Sequence, residues 1–215
     1  MTIVPETMPP VSLLLGALDY LGVFVFAATG ALAAAQKKHD IITFAFFAAV
    51  TGIGGGTLRD LLIAAPVFWV TDAGYLVACG AATLVVWVIG DRLARLRALL
   101  WLDAAGLAAY CVLGAAKALA LGVAPLVAVV MGVLTACFGG VIRDVLAGEP
   151  SILLRREIYA TAALAGASVF VAASLAGAPQ YVALGLGALV AFGVRAGVIV
   201  FGWTLPGFRD RVDPA

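Results

Sequence analysis

The chain has 215 residues, 64% of them hydrophobic and 12% charged, with a formal net charge of +1 and a mean hydropathy of +1.14. A soluble domain carries roughly twice that share of charge, and no core of this length hides apolar runs that recur along the whole sequence, so the solvent is largely lipid. A near-neutral charge without a basic patch interleaved with aromatics excludes nucleic acid as a partner.

The N-terminus, Met1 to Pro10, is acidic and Pro-rich and lacks a basic leader, so no cleaved signal peptide is read there and the first span stays in the mature protein. A helix needs about 20 mostly apolar residues to cross roughly 30 Å of hydrocarbon. The predicted spans are Val11 to Ala35, Ile41 to Ala64, Asp72 to Gly90, Leu99 to Leu119, Val123 to Ala147, Glu157 to Ala176 and Gln180 to Phe201. In lipid each is a helix, because unpaired backbone groups find no water there. Short connections hold nearly all the charge. One side receives Lys37, Lys38, Arg92, Arg95, Arg97, Arg155, Arg156, Arg209 and Arg211, and the loops of the other side receive none. This asymmetry puts the N-terminus outside and the C-terminus inside the cytoplasm.

Within the second span lies Thr51-Gly-Ile-Gly-Gly-Gly-Thr-Leu-Arg-Asp60, and within the fifth Thr135-Ala-Cys-Phe-Gly-Gly-Val-Ile-Arg-Asp144, displaced by 84 residues without a gap. The same offset pairs Asp19 with Asp103, Gly22 with Gly106, Gly30 with Gly114, Pro66 with Pro150 and Tyr75 with Tyr159. The unit is a repeat of three spans, about 11–92 and 95–176, and an odd number of spans inverts the second copy in the membrane. The predicted fold is a single all-α integral membrane domain of seven transmembrane helices, an inverted 3+3 repeat plus a seventh helix at about 180–201. That helix has no partner and reads as a closing or oligomer-contact element. Inverted repeats with interrupted helices form ion or substrate sites near the midplane, and the second and fifth spans are the ones expected to be interrupted.

Gly54, Gly55 and Gly56, with Gly139 and Gly140 in the second copy, have two readings. Each glycine lowers helix preference by about 1 kcal/mol relative to alanine, which favours kinked helices lining a path. Small residues also let membrane helices pack closely. Phe138 stands where the first copy has Gly54, so the kinks are not equivalent and this ring is expected to narrow one end of a path. Ionised groups at membrane depth are paired or face water, and adjacent helix residues do not face each other. Arg59, Asp60, Arg143 and Asp144 are therefore expected either to seek partners on other helices, with Asp19 and Asp103 as cross-repeat partners for the arginines, or to form structural bridges at helix ends. Lys117 lies near one end of the fourth span and can snorkel, whereas Arg195 is well inside the seventh; a fixed positive charge in a cation path serves gating or is offset by carbonyls and carboxylates. Asp19, Asp40 and Asp72 are candidate entrances. Tyr75, Tyr159 and the tryptophans fit interfacial belts or core packing.

No catalytic residue is identified. The glycines lack the strand context of a dinucleotide fingerprint, no His, Cys and acid cluster has metal-ligand spacing, and the serines lack a neighbouring base and acid. Cys79, Cys111 and Cys137 fall within apolar runs and read as core residues. The chain is read as a non-enzyme with no cofactor and no metal.

The paired motifs, Gly54 to Asp60 with Pro66 and Gly139 to Asp144 with Pro150, resemble the duplicated signature of the bacterial homologues of the trimeric intracellular cation channels. Nearly the whole chain takes part. Members of this prokaryotic group have also been labelled glycine transporters. The resemblance implies a seven-helix protomer, a symmetric homotrimer in membrane lipid, and a path in each protomer between the kinked second and fifth helices that passes monovalent cations, chiefly potassium. It carries over Gly54 to Gly56 and Gly139 to Gly140 at the kinks, with Arg59, Asp60, Arg143 and Asp144 beside them. Eukaryotic relatives have a lysine-containing motif in the second helix and bind an inositol phospholipid through basic residues after the fifth-helix glycines. Here no lysine precedes Thr51 in that helix and only Arg143 follows the glycines, so lipid dependence is not carried over. A secondary transporter of glycine or another small amino acid and a non-conducting structural membrane protein are the alternatives.

Overall fold

A computed structural model describes residues 10–95, 98–151 and 158–204. The reading of residues 1–9, the basic residues Arg97, Arg155, Arg156, Arg209 and Arg211, and the predicted span start at Glu157 lie outside the described residues. The described chain is all-helical apart from turns and a single bridge position: α1 Pro10–Gln36, α2 Ile41–Leu62, α3 Phe68–Thr71, α4 Gly74–Arg95, α5 Ala98–Ala120, α6 Pro125–Leu146, α7 Ala160–Leu175 and α8 Gln180–Phe201. Among the described residues five of these, α1, α2, α5, α6 and α8, contain stretches long and apolar enough to cross a membrane, while α4 and α7 contribute shorter apolar helices, Gly74–Gly90 and Ala160–Leu175. The fold is a multi-pass membrane fold. The surface agrees with that solvent: Val88 is 79% exposed, Leu126 78% and Ile42 76%. Inside, the bundle is held by small side chains such as Ala27, Ala31, Ala34, Ala115 and Ala167, all buried, which let helices approach closely where lipid supplies no hydrophobic drive between them.

Helix ends follow local chemistry. Asp40 caps α2, its carboxylate accepting the Thr43 amide at 2.8 Å, and that bond holds the Asp40 carboxyl below the usual carboxylate range. Pro125 begins α6, where a missing amide hydrogen costs nothing. α5 and α6 end at left-handed Gly122 (φ 77°) and Gly148 (φ 66°). At the positions 84 residues earlier, α1 and α2 end at Lys38 (φ 56°) and Ala64 (φ 53°), also left-handed but not glycine.

α1 packs on α2 and α4, α5 packs on α6 and α7, α2 crosses α6, and α8 lies on α5 and α7. The close approaches exchange under the same offset. A Cβ on Gly55 would be driven into the carbonyl oxygen of Thr135, and one on Gly139 into that of Thr51. A Cβ on Gly22 would lie 2.8 Å from the Tyr110 ring, and one on Gly106 3.0 Å from the Phe26 ring.

Two expectations are corrected. α2 and α6 run unbroken through their glycines, so the spans are not interrupted. The loss of helix preference at a glycine, about 1 kcal/mol, is smaller than the several kcal/mol of an unpaired backbone group in lipid, and the missing side chains serve the crossing instead. The connection from Pro66 to Thr71 is not simply a loop, since it contains the single turn α3.

Candidate functional site

Three layers stack through the bundle: a polar cluster around Arg59, the α2/α6 crossing, and a second polar cluster around Arg143. In the first, the fully buried Asp60 carboxylate collects three donors. Arg59 Nε reaches its Oδ1 at 2.8 Å, Lys117 Nζ lies at 2.8 Å, and the Phe68 amide reaches Oδ2 at 3.1 Å. This last bond starts α3 and lays the Phe68 ring over the first repeat's glycines, since a Cβ on Gly56 would lie 2.6 Å from the ring. The Arg59 guanidinium and the Lys117 ammonium stand 6.0 and 5.9 Å from that ring's centre. Trp69 Nε1 donates to Thr57 Oγ1 at 2.9 Å. Asp19 accepts the Tyr75 hydroxyl at 2.7 Å, and its backbone carbonyl accepts the Tyr110 hydroxyl at 2.9 Å. In the connection after α3, Asp72 accepts from the Tyr20 hydroxyl and the Gly74 amide at 2.9 Å. The Tyr20 hydroxyl holds the Asp72 carboxyl below the usual range.

The second cluster inverts this stoichiometry. Arg143 serves two carboxylates, Asp103 at 2.9 Å and Asp144 at 2.9 Å, and donates to Thr29 Oγ1 at 3.2 Å. Gly140 faces Tyr159, whose hydroxyl would lie 3.2 Å from an added Cβ. Tyr159 and Arg195 are both fully buried, with the Arg195 guanidinium 4.9 Å from the centre of the Tyr159 ring.

The expected reach to an aspartate on another helix forms at Arg143, which takes Asp103 of α5, but not at Arg59, and neither pair crosses between the repeats. Arg59 turns to its neighbour Asp60, not to Asp19 or Asp103, and Arg143 takes Asp103 from its own repeat together with its neighbour Asp144. Neighbours on a helix point apart, but a desolvated guanidinium has a long enough stem to fold back onto the nearest carboxylate, and at membrane depth that outweighs the geometry. Among the described residues two ion pairs join the repeats: the exposed Lys37 with Glu149 at 2.6 Å, and Lys117 with the buried Asp60. The 84-residue offset from Lys117 falls on Ala33, so this bridge has no repeat partner.

Two cavities meet beside the first cluster. The wider one, ≈ 300 Å³, is bounded by Asp19, Arg59, Lys117, Phe68, Gln180 and apolar side chains of α5 and α8. The narrower one, ≈ 10 Å³, reaches the crossing and is lined by Thr51, Gly52, Gly55, Gly56, Thr135 and Gly139. That is room for about one water. Asp19, Arg59 and Phe68 line both. The two threonines at the crossing differ: Thr135 Oγ1 donates to the Met131 carbonyl at 2.6 Å, whereas the buried Thr51 hydroxyl has no hydrogen-bond partner. Phe138 is half-buried and lines neither cavity, so it does not narrow this route. Gly54 faces Ile142, 3.1 Å from where its Cβ would be. Asp40 caps a helix and lines neither cavity. Sequence reasoning missed Phe68, Thr29 and Tyr110. For Phe68 the only available sign was its place between Pro66 and Asp72; Phe26 and Tyr110 are repeat mates, and their aromatic match at an offset of 84 was a usable one.

A family described as "Glycine transporter" matches residues 16–91 and 100–174, one segment over each copy of the repeat. The chain is 39% identical over 205 residues to a UPF0126 membrane protein of Vibrio cholerae, covering 91% of this chain and 83% of the relative. It is 42% identical over 155 residues to the UPF0126 inner membrane protein YadS of Escherichia coli K12, covering 71% and 75%. Among solved structures it is similar to the TRIC trimeric intracellular cation channel orthologue from Rhodobacter sphaeroides, with a TM-score of 0.85 and 47% identity over 88% of this chain and 99% of that one. With both copies of the motif inside the matched segments, the chain belongs to the UPF0126 family, a bacterial multi-pass inner-membrane family, and has the fold of the TRIC cation channels.

Proposed function

We propose that the protein is a monovalent-cation channel, chiefly for potassium, with one path in each protomer of a homotrimer. The observation that carries this reading is the pair of cavities that share Asp19, Arg59 and Phe68 as walls and descend from an open mouth to the threonine and glycine crossing of α2 and α6. The path runs from Asp19, Arg59, Asp60 and Lys117 at the mouth, past Gly54, Gly55, Gly56, Gly139 and Gly140, to Asp103, Arg143, Asp144 and Arg195 at the far end. Positive charge at the mouth does not forbid cations, because Asp60 offsets it and Asp19 adds an accessible carboxylate. The likeness to a TRIC cation channel at 47% identity supports the substrate class and the trimer. Seven spans in an inverted 3+3+1 order, with the N-terminus outside and the C-terminus in the cytoplasm, complete the proposal. It is supported by the reciprocal glycine contacts and by the basic residues gathered on one side.

A secondary transporter of glycine or a similar zwitterion is the second reading. It is favoured by Asp19 facing the Arg59 and Lys117 cavity, which has the opposed charges such a ligand needs, and by the family's description. Flux in liposomes, measured for potassium, sodium and glycine with and without an imposed voltage, separates the two. The channel reading expects voltage-driven potassium current with little saturation. Saturable glycine uptake without potassium current overturns it, and absence of both leaves a structural membrane protein.

A further inference from the structure

We infer that α3 is a hinged cover and that Phe68 is the occluding residue of the path, an inference that rests on the channel reading above. The Phe68 ring is a wall of both the wide and the narrow cavity, so it stands at the neck between them. It fills the space over Gly56 that a side chain would otherwise take. Upstream of the neck there is room for hydrated ions, and downstream there is room for about one water.

The segment that carries the ring is weakly held. α3 is a single turn with no buried residue. Its attachments include the Phe68 amide on Asp60, the Trp69 indole on Thr57, the edge of Phe68 against Tyr75 with ring centres 4.6 Å apart, the Arg59 and Lys117 cations over the Phe68 ring, the partly buried packing of Phe68 and Trp69 on the core, and the Tyr20 hydroxyl on Asp72. Elements with few buried residues open locally at low free energy, and among the described residues only two part-buried hydrogen bonds fix the turn to α2. Outward rotation of α3 breaks the first two bonds and leaves the Arg59 and Lys117 pairs with Asp60 intact, so the neck opens without unpairing a buried charge. The ring then leaves Thr51, the buried hydroxyl without a partner, facing the vestibule.

Two readouts test this in the full-length protein. In liposomes Phe68→Ala passes potassium several-fold faster than wild type, and Phe68→Leu raises the flux by less. In detergent, Thr51→Cys combined with Phe68→Ala reacts several-fold faster with a water-soluble methanethiosulfonate reagent than Thr51→Cys alone, read at position 51 by peptide mass spectrometry. Wild-type flux and wild-type reactivity in a Phe68→Ala protein that still elutes as a single folded species overturn the proposal. If Phe68→Ala does not fold, Phe68→Leu and Trp69→Phe carry the test: reactivity above wild type in either supports the cover, and wild-type reactivity in both overturns it. Thiol reactivity does not depend on the transported species. A ring-dependent rate at position 51 without any potassium flux keeps the cover and removes the channel reading, whereas potassium flux with no dependence on Phe68 does the reverse.

Discussion

The two copies of one motif end in opposite electrostatic states. At the Arg59 end one carboxylate holds two cations and borders an open cavity, with the Lys117 side chain 33% exposed. At the Arg143 end one cation holds two carboxylates, and the described side chains are buried: Arg143 is 3% exposed, Asp103 1%, Asp144 8% and Tyr159 0%. The two ten-residue stretches share their Thr, Gly-Gly and Arg-Asp positions, so the difference at the shared Arg-Asp lies in what packs over it. Gly56 is covered by Phe68 from a surface turn, and Gly140 by Tyr159 from within the bundle. Approximate symmetry thus gives one end that borders a cavity and, among the described residues, one whose charges are locked in a buried ion-pair cluster.

The largest expected effect breaks the locked end. Arg143→Ala leaves Asp103 and Asp144 without their cation in a dry site, at a cost of about 3–5 kcal/mol, and is expected to abolish folded protein in detergent as judged by thermal unfolding and size exclusion. Stability within ~1 kcal/mol of wild type would mean that this end is wetter than its burial implies. Next come Gly55→Ala and Gly139→Ala. Each drives a methyl group into a carbonyl of the opposite helix, and each is expected to lower stability by about 1–3 kcal/mol as overpacking does. The two losses should match, because the contacts are reciprocal. Gly54→Ala meets only the flexible end of Ile142 and is expected to cost less than either, and a loss equal to theirs would show that the crossing is not centred on Gly55 and Gly139.

How much of this was legible depends on which features the repeat carries. The multi-pass helical fold and the placing of both Arg-Asp pairs in α2 and α6 follow from hydropathy and the 84-residue offset alone. The glycines announced a special place in each helix, but not what happens there. Propensity suggested a break, and lipid, which leaves no partner for a freed carbonyl, kept α2 and α6 continuous. The Lys117–Asp60 bridge was illegible because Lys117 has no copy, so nothing in the sequence linked it to a residue in the other half. Phe68 was illegible because a single turn has no period to read, and its position over Gly56 exists only once Asp60 caps α3. Neighbouring Arg and Asp pairing was misjudged by a rule derived for exposed helices, where water competes for the guanidinium.

A smaller effect lies at the helix ends. Gly148 and Ala64 occupy equivalent left-handed positions, with φ of 66° and 53°, and a Cβ in that region costs roughly 1–2 kcal/mol. Ala64→Gly is expected to raise the unfolding midpoint and Gly148→Ala to lower it, each by about 1 kcal/mol once the greater freedom of glycine in the unfolded chain is set against the relief. Equal and opposite shifts are the outcome that two equivalent ends require.

The smallest expected change in stability is at Lys117, where it separates the two ends most clearly. Lys117→Met removes one of two cations from Asp60, but Arg59 Nε and Nη2 remain 2.8 Å from its Oδ1, so the carboxylate is never left bare. The ammonium borders the cavity and is partly hydrated before the change, and pairs of that kind contribute about 0–1 kcal/mol. Stability should therefore move by no more than that, while the mouth loses a positive charge. Potassium flux is expected to rise, and to rise more at low than at high ionic strength, because a partly hydrated charge at the rim of a wet cavity acts through a field that salt screens over about 10 Å at 0.1 M. A loss of stability as large as that of Arg143→Ala would make Lys117 a member of a second locked cluster, and the contrast between the two ends would fail.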